Sequence, residues 1–352
     1  MTTLLKIVLC ICMLWLAGRV DCMAQKIRPE IEDLAYLIAE EGTIIDNGGS
    51  EYFENLCDWS RDEELVELTD HKKSVVRCYS FLALLSRSKQ DILSIVKKHL
   101  HDTAEVGIDT PCLSYNQTVR DYFITELYSK ITSNSHKLTD QQLSEFDSLM
   151  VFGAIDNNPI RNEVLIRVSP DMKYYNFIRE MVTVQKNNEI LIALAKYQNQ
   201  NDTSIIIERL NSTIRENRYY GLCAARYFPD SSFFPYIAEI HSSEINPQLY
   251  PHTNYLKVLY LTIVQYKIKA ARDLLQMTID KAEKSKHLPY SQIVSHSFEF
   301  QTQWIWLALE KYPDDVFDDF QDKIQLSRLQ KGSVEIELRY PDETLYGKWF
   351  PR

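Results

Sequence analysis

Apolar residues recur at intervals of three and four along most of the chain, separated by polar breaks of two to six residues. That rhythm is helical, and the breaks are the length of tight connections, so the pattern predicts an all-α protein. Ile31, Leu34, Ala35 and Ile38 fall on one helix face that ends near Gly42, and a looser stretch containing Asp46–Ser50 follows. Ser60 with Glu63, and Thr139 with Gln142, have the spacing of a capping box, in which side chain and backbone satisfy each other at a helix start. Ser169 before Pro170 predicts an N-cap and a first-turn proline ahead of the stripe from Met172 to Val182.

Longer periodicity decides the architecture. Four segments repeat one arrangement: an apolar helix, a tyrosine near its end, a short turn and a second striped helix. The tyrosines are Tyr197, Tyr227, Tyr266 and Tyr312, spaced by 30, 39 and 46 residues, which is the range of helical-pair repeats. Within residues 71–87, Val76-Arg77, Ser80 and Ala83-Leu84 follow a Val-Arg-x-x-Ala-x-x-Ala-Leu pattern, and Asp102 closes the unit after Leu100. A second copy runs through Arg218, Gly221, Ala224 and Ala225. Small side chains every third residue let one helix approach its neighbours closely while larger ones fill the seam.

These two stretches resemble HEAT repeats, well over residues 61–110, less closely over 187–330 and poorly over 25–60. The whole chain is similar to exported bacterial HEAT-repeat proteins, a group without an agreed activity. The resemblance implies an α-α superhelix, a solenoid of irregular helix pairs. It implies that Arg77 reaches an acid between units, either Asp102 or one in the preceding unit. Fold travels with such a resemblance far better than function does.

The chain's end departs from this pattern. Val334, Ile336, Leu338 and Tyr340 alternate with polar residues at period two, which predicts a strand in a short extended tail. Such a segment either packs along the last helices or pairs with a partner's strand. The expected organisation is therefore a signal peptide at 1–24, a helical cap and loop at 25–60, the repeat domain at 61–330 and the tail at 331–352.

Lys6, the apolar run Ile7–Ala17 and the small residue Ala24 form the layout of a secretory signal peptide; the alternative is an uncleaved anchor. The run is shorter than the ~20 residues of a spanning helix, so the mature chain is expected to have no membrane span and to reside in the periplasm or outside the cell. The 39 basic residues are outnumbered by 49 acidic ones, for a net charge of -10, and are not clustered, which disfavours nucleic acid as a partner. In an oxidising compartment Cys57, Cys78, Cys112 and Cys223 permit three complete disulfide pairings. Asn116, Asn201 and Asn211 head Asn-x-Ser/Thr sequons, which matter only for a eukaryotic source.

Candidate chemistry is sparse. His71 and Cys78 stand seven positions apart, about 10 Å along a helix, too far for a nucleophile and its base. His99, His101 and Asp102 suit zinc in type, yet residues two apart on a helix point in nearly opposite directions. Asp314, Asp315, Asp318, Asp319 and Asp322 lack the central glycine of a calcium loop and read as a helix start with a solvated face. Tyr174, Tyr219, Trp304, Trp306 and Trp349 are expected to lie in the core or, if contiguous and exposed, to mark a binding surface. Nucleotide-binding, zinc-protease and serine-hydrolase motifs do not occur, and no cofactor is implied.

The expectation is thus a non-catalytic exported module that binds an unidentified protein or peptide, or scaffolds one, through the surface of its helical array. The alternatives are a lyase-like enzyme, since phycobilisome lyases carry HEAT-like repeats, and a structural envelope protein.

Overall fold

The computed structural model describes residues 27–45, 50–87, 91–153, 159–245, 253–285 and 297–339. Of these, 71% are helical, as the apolar periodicity predicts, and a small three-stranded sheet accompanies the helices. The chain divides into two compact units, Met1–Leu149 and Met150–Arg352.

In the first unit, α1 (Pro29–Glu41) buries Ile31, Leu34, Ala35 and Ile38 and stops at Gly42, whose φ of 75° suits a residue without Cβ. Strand β1 (Thr43–Ile45), α2 (Glu51–Trp59), α3 (Asp62–Leu68), α4 (Ser74–Arg87) and α5 (Ile92–Lys98) follow. A hairpin of β2 (Glu105–Asp109) and β3 (Ser114–Thr118) then leads into α6 (Val119–Thr132) and α7 (Asp140–Phe152). Helix α4 is the centre of this unit: ten of its fourteen residues are buried, and α1, α2, α3, α6, β1 and β2 all pack on it.

The sheet corrects the all-α expectation. β1 pairs parallel with β2, and β3 pairs antiparallel on its other side, giving the order β1-β2-β3. Ile44, Val106 and Ile108 are buried. A Cβ at Gly107 would stand 2.9 Å from Thr43 Cγ2, so glycine permits the close approach of the two parallel strands.

One capping signal moves by a residue. Ser60 closes α2, its N–H donating to Leu56 O at 3.3 Å, and Arg61 rather than Ser60 is the N-cap of α3. The partner is Glu64, whose enclosed carboxylate accepts from Arg61 N at 2.8 Å and from Arg28 Nε at 2.8 Å. The Arg28 guanidinium holds this carboxyl well below the usual carboxylate range. Thr139 and Gln142 form the predicted reciprocal pair, at 3.1 and 3.2 Å.

The second unit contains α8 (Pro159–Arg167), α9 (Met172–Thr183), α10 (Leu191–Ala195), α11 (Thr203–Leu210), α12 (Arg215–Tyr227), α13 (Phe234–Glu244), α14 (Thr253–Val264), α15 (Lys269–Ser285), α16 (Ser297–Lys311), α17 (Phe320–Lys323) and α18 (Arg328–Leu338). Helices α8, α10, α12, α14, α16 and α18 each pack on the next in that order, while α9, α11, α13 and α15 pack on members of this row. Helix α9 starts from Asp171, whose Oδ1 accepts from Lys173 N at 2.9 Å, not from Ser169.

Helix α18 corrects the extended tail over residues 331–338. Ser327 and Gln330 form a capping box that sets a helical start, and α18 packs on α16. With Val334 buried at 2% exposure and Ile336 at 55%, the buried face follows the helical period rather than the alternation of a strand. Residues 340–352 lie outside the described residues, as do 1–26 with the expected signal peptide, and Asp46–Gly49.

Candidate functional site

Arg77, 9% exposed on α4, reaches the acid 25 residues further on: its Nε stands 3.0 Å from Asp102 Oδ2 and its Nη2 3.2 Å from Oδ1. Its Nη1 donates to His71 O at 2.7 Å, which ties the turn before α4 into the same knot. Ser80 and Ala83 are fully buried where α4 meets its neighbours. His99 extends the cluster, with Nδ1 3.3 Å from Asp102 Oδ2 and Nε2 3.4 Å from Asp70 Oδ1. His101 is exposed while His99 is buried, and among the described residues no group of three or more His, Cys, Asp or Glu could hold a metal ion.

Gly221 and Ala224 mark the second tight seam. A Cβ on Gly221 would lie 2.9 Å from Leu210 N and 3.1 Å from Arg209 C, so α12 meets the end of α11 backbone to backbone. Ala224 is fully buried. Arg218, the counterpart of Arg77 in the sequence pattern, approaches its acid less closely: its Nη2 is 4.0 Å from Glu244 Oε1, beyond hydrogen-bonding distance.

The turns of the second unit are bonded in register at both ends of its helices. Tyr197 Oη donates to Asp171 O at 2.7 Å, Gln198 Nε2 to Tyr227 O at 3.1 Å, and Gln200 Nε2 to Asp230 Oδ2 at 3.2 Å. Near the opposite helix ends, Asn187 Nδ2 donates to Asn162 Oδ1 at 3.1 Å and Asn188 Nδ2 to Asn217 Oδ1 at 2.9 Å. Asp202, 1% exposed, accepts from Tyr175 Oη at 2.8 Å and Arg179 Nε at 2.9 Å.

A polar cluster absent from the sequence expectations sits in the core of the second unit. His241 is fully buried on α13 with Nε2 2.8 Å from Thr278 Oγ1 on α15, and Tyr260 Oη on α14 donates to Gln301 Oε1 on α16 at 2.8 Å. Burial, with Lys281 nearby adding to it, pushes His241 down to about 4, so the ring is neutral at ordinary pH. One signal was present in the chain: Ile237, Ile240, His241 and Glu244 fall on one buried stripe, so two polar residues occupy core positions.

The described members of the aromatic set do not form an exposed surface. Tyr174, Tyr219 and Trp304 are buried at 3%, 7% and 6% exposure, and Trp306 is half-buried. They serve interior packing, with Tyr174 stacked on Phe152 at 5.4 Å and Tyr219 edge-on to Tyr220 at 5.4 Å. Trp349 lies outside the described residues.

None of the possible disulfides is formed among the described residues: Cys57, Cys78, Cys112 and Cys223 are all free. Cys78 and Cys223 are enclosed in helix seams as small apolar side chains, while Cys112 is exposed at the β2–β3 turn. Burial pushes the Cys57 thiol up to about 11 and raises that of Cys78 further, which makes both poor thiolates.

The aspartates from 314 to 322 are divided among separate tasks. Asp314 caps the turn before α17 and pairs with Lys267 at 3.2 Å, and Asp319 takes Arg272 through two bonds of 2.6 and 2.7 Å. The three sequon asparagines, Asn116, Asn201 and Asn211, are exposed. No helix among the described residues is long and apolar enough to cross a membrane. Compared with family models, curated proteins and solved structures, the chain matches none of them.

Proposed function

We propose that the second unit is a stack of irregular HEAT-like helix pairs, and that the chain is an exported protein-binding or scaffolding module acting through the surface of that stack. The observation that carries the reading is the row α8, α10, α12, α14, α16 and α18, each packed on the next in chain order with the other helices flanking it. Stacked pairs of this kind create an extended surface whose composition can vary without disturbing the core. The Tyr197–Asp171, Asn187–Asn162 and Asn188–Asn217 bonds support it, because they link residues 26, 25 and 29 positions apart, about the length of one helix pair. The Arg77–Asp102 pair and the Gly221 seam support the family resemblance at the two places where the sequence pattern is clearest.

Exposed apolar residues on the second unit supply the test. Met172, Val184 and Ile214 are 71%, 70% and 58% exposed. The purified chain is immobilised and challenged with the envelope fraction of its source, alongside Met172→Lys, Val184→Lys and Ile214→Lys variants. A defined protein retained by the wild type and lost from at least one variant of unchanged helicity supports the reading. Retention that is identical for every variant and for the heat-denatured chain overturns it.

A further inference from the structure

Strand β3 lies at the edge of its sheet, with β2 on one side only. Val119 N donates to Ala104 O and Thr110 N to Leu113 O, each at 2.9 Å, and between them the register runs unbroken from Glu105–Thr118 to Asp109–Ser114. Antiparallel strands alternate hydrogen-bonded with non-hydrogen-bonded pairs, so the bonds to β2 fall on Leu113, Tyr115 and Gln117. The main-chain N–H and C=O groups of Ser114 and Asn116 therefore point away from β2, and both residues are exposed.

The two edges of the sheet are finished differently. On β1, Ile45 N donates to Tyr79 Oη at 2.9 Å, so a side chain already occupies part of that edge. On β3, Gln117 and Thr118 are tied to α6, through Thr125 Oγ1 at 3.1 Å and Asp121 N at 3.1 Å, while Ser114, Tyr115 and Asn116 stay exposed. Edge strands commonly resist further pairing with lysine or another charge, a proline or a bulge. None of these interrupts β3, and the uncharged stretch extends from Thr110 to Thr118.

The apolar face of the sheet also runs out at this edge. Tyr115 stands opposite Ile108 in the ladder and shares its face. Ile108 is 4% exposed, whereas Tyr115 is 44% and Leu113 63% exposed. Another strand with apolar groups at the same height would continue the buried face.

We propose that β3 pairs with β3 of a second copy, antiparallel about a twofold axis at Tyr115, to make one sheet across two chains. Ser114 of each copy then exchanges hydrogen bonds with Asn116 of the other, so each outward group meets an outward group. Tyr115 faces its counterpart in the closer, non-hydrogen-bonded kind of pair, and the apolar face becomes continuous across the axis. An axis at Asn116 would instead require the carbonyl of Thr118, which as the N-cap of α6 is committed to the helix. The edge suits a second copy because it is neutral: chains of net charge -10 repel one another, and β3 offers a contact without a like charge. The pairing involves the first unit alone and is independent of the binding-module reading.

A contact built on one short strand is small and its association weak, so the test is sedimentation velocity of the purified chain from about 10 to about 500 μM. A reducing agent keeps Cys112 from linking two copies. The expected result is a sedimentation coefficient that rises with concentration from monomer to dimer. Asn116→Pro, which deletes an outward N–H and spares the bonds to β2, is expected to weaken the dimer about tenfold or more. Tyr115→Lys sets two like charges against each other at the axis and is expected to do the same. Circular dichroism checks the fold of each variant; should Asn116→Pro fail to fold, Tyr115→Lys still decides. A chain that stays monomeric throughout, or a dimer that either folded variant leaves unchanged, overturns the proposal.

Discussion

The Arg77 guanidinium meets the Asp102 carboxylate through two nitrogens, at 3.0 and 3.2 Å, joining the first turn of α4 to the turn that follows α5. Asp102 also accepts from Ala104 N at 3.2 Å, so the same carboxylate shapes the entry to β2. Removing the arginine strands a largely enclosed acid. Arg77→Ala is expected to cost about 3 kcal/mol in urea denaturation, within the range for breaking a buried pair. Arg77→Lys should recover only part of it, because one ammonium cannot replace the fork. Stability of Arg77→Ala within 0.5 kcal/mol of wild type would show the pair to be inconsequential.

His241 gives a pH signature whose sign is fixed by burial. The folded state keeps the ring neutral down to about pH 4, whereas the unfolded chain takes up a proton near 6.5. Between those values the unfolded state binds more protons, so this contribution is complete above 6.5 and is lost as pH falls toward 4. The difference between wild type and His241→Leu should change by roughly 3 kcal/mol across that window. Denaturation curves measured from pH 7 to pH 4 would refute the point if the two proteins kept a constant difference.

Two glycines on helices should respond in opposite directions. Gly221→Ala places a Cβ 2.9 Å from Leu210 N, against backbone that has no rotamer to change, and is expected to destabilise by about 1–3 kcal/mol. Gly332 lies inside α18 with nothing within 4 Å of a Cβ, so Gly332→Ala should stabilise that helix by roughly 0.5–1 kcal/mol. A shared sign for the two in thermal melts would contradict the packing described here.

Ser327 tests the helical form of the chain's end. Its Oγ accepts from Gln330 N at 3.3 Å while Gln330 Oε1 accepts from Ser327 N at 2.8 Å. Ser327→Ala should cost about 1 kcal/mol of local stability. Faster amide exchange over residues 331–338, with exchange in α12 unchanged, is the expected readout; identical protection in both proteins would argue that the cap contributes nothing.

Legibility in the amino-acid order followed the number of positions that bore on each feature. Helix α1 was plain because four buried residues and a terminating glycine agree. The tyrosine turns were plain for the same reason, since the arrangement recurs. The sheet was not, because β1 has three residues and finds its partner more than sixty positions away, and no local window contains that pairing. The alternation of Val334, Ile336 and Leu338 predicts a strand, yet Ser327 and Gln330 set a helical start upstream of it. Of the acidic and basic groups, Arg77 and Asp102 could be paired from their pattern, whereas Arg215 and Glu244, which also pair, belong to two helices and share no spacing rule.

The parallel pairing of Thr43–Ile45 with Gly107–Asp109 imposes an order of events on the first unit. The segment after α1 cannot reach its final hydrogen bonds until the chain beyond residue 105 is present, so this unit closes late and over a long loop. In the second unit most packing joins helices that follow one another closely, and structure there can grow pair by pair behind the advancing chain. During synthesis the part of the protein made first therefore waits for its strand partner, and a chain halted near residue 100 would hold α1 and α4 without the strand that joins their ends.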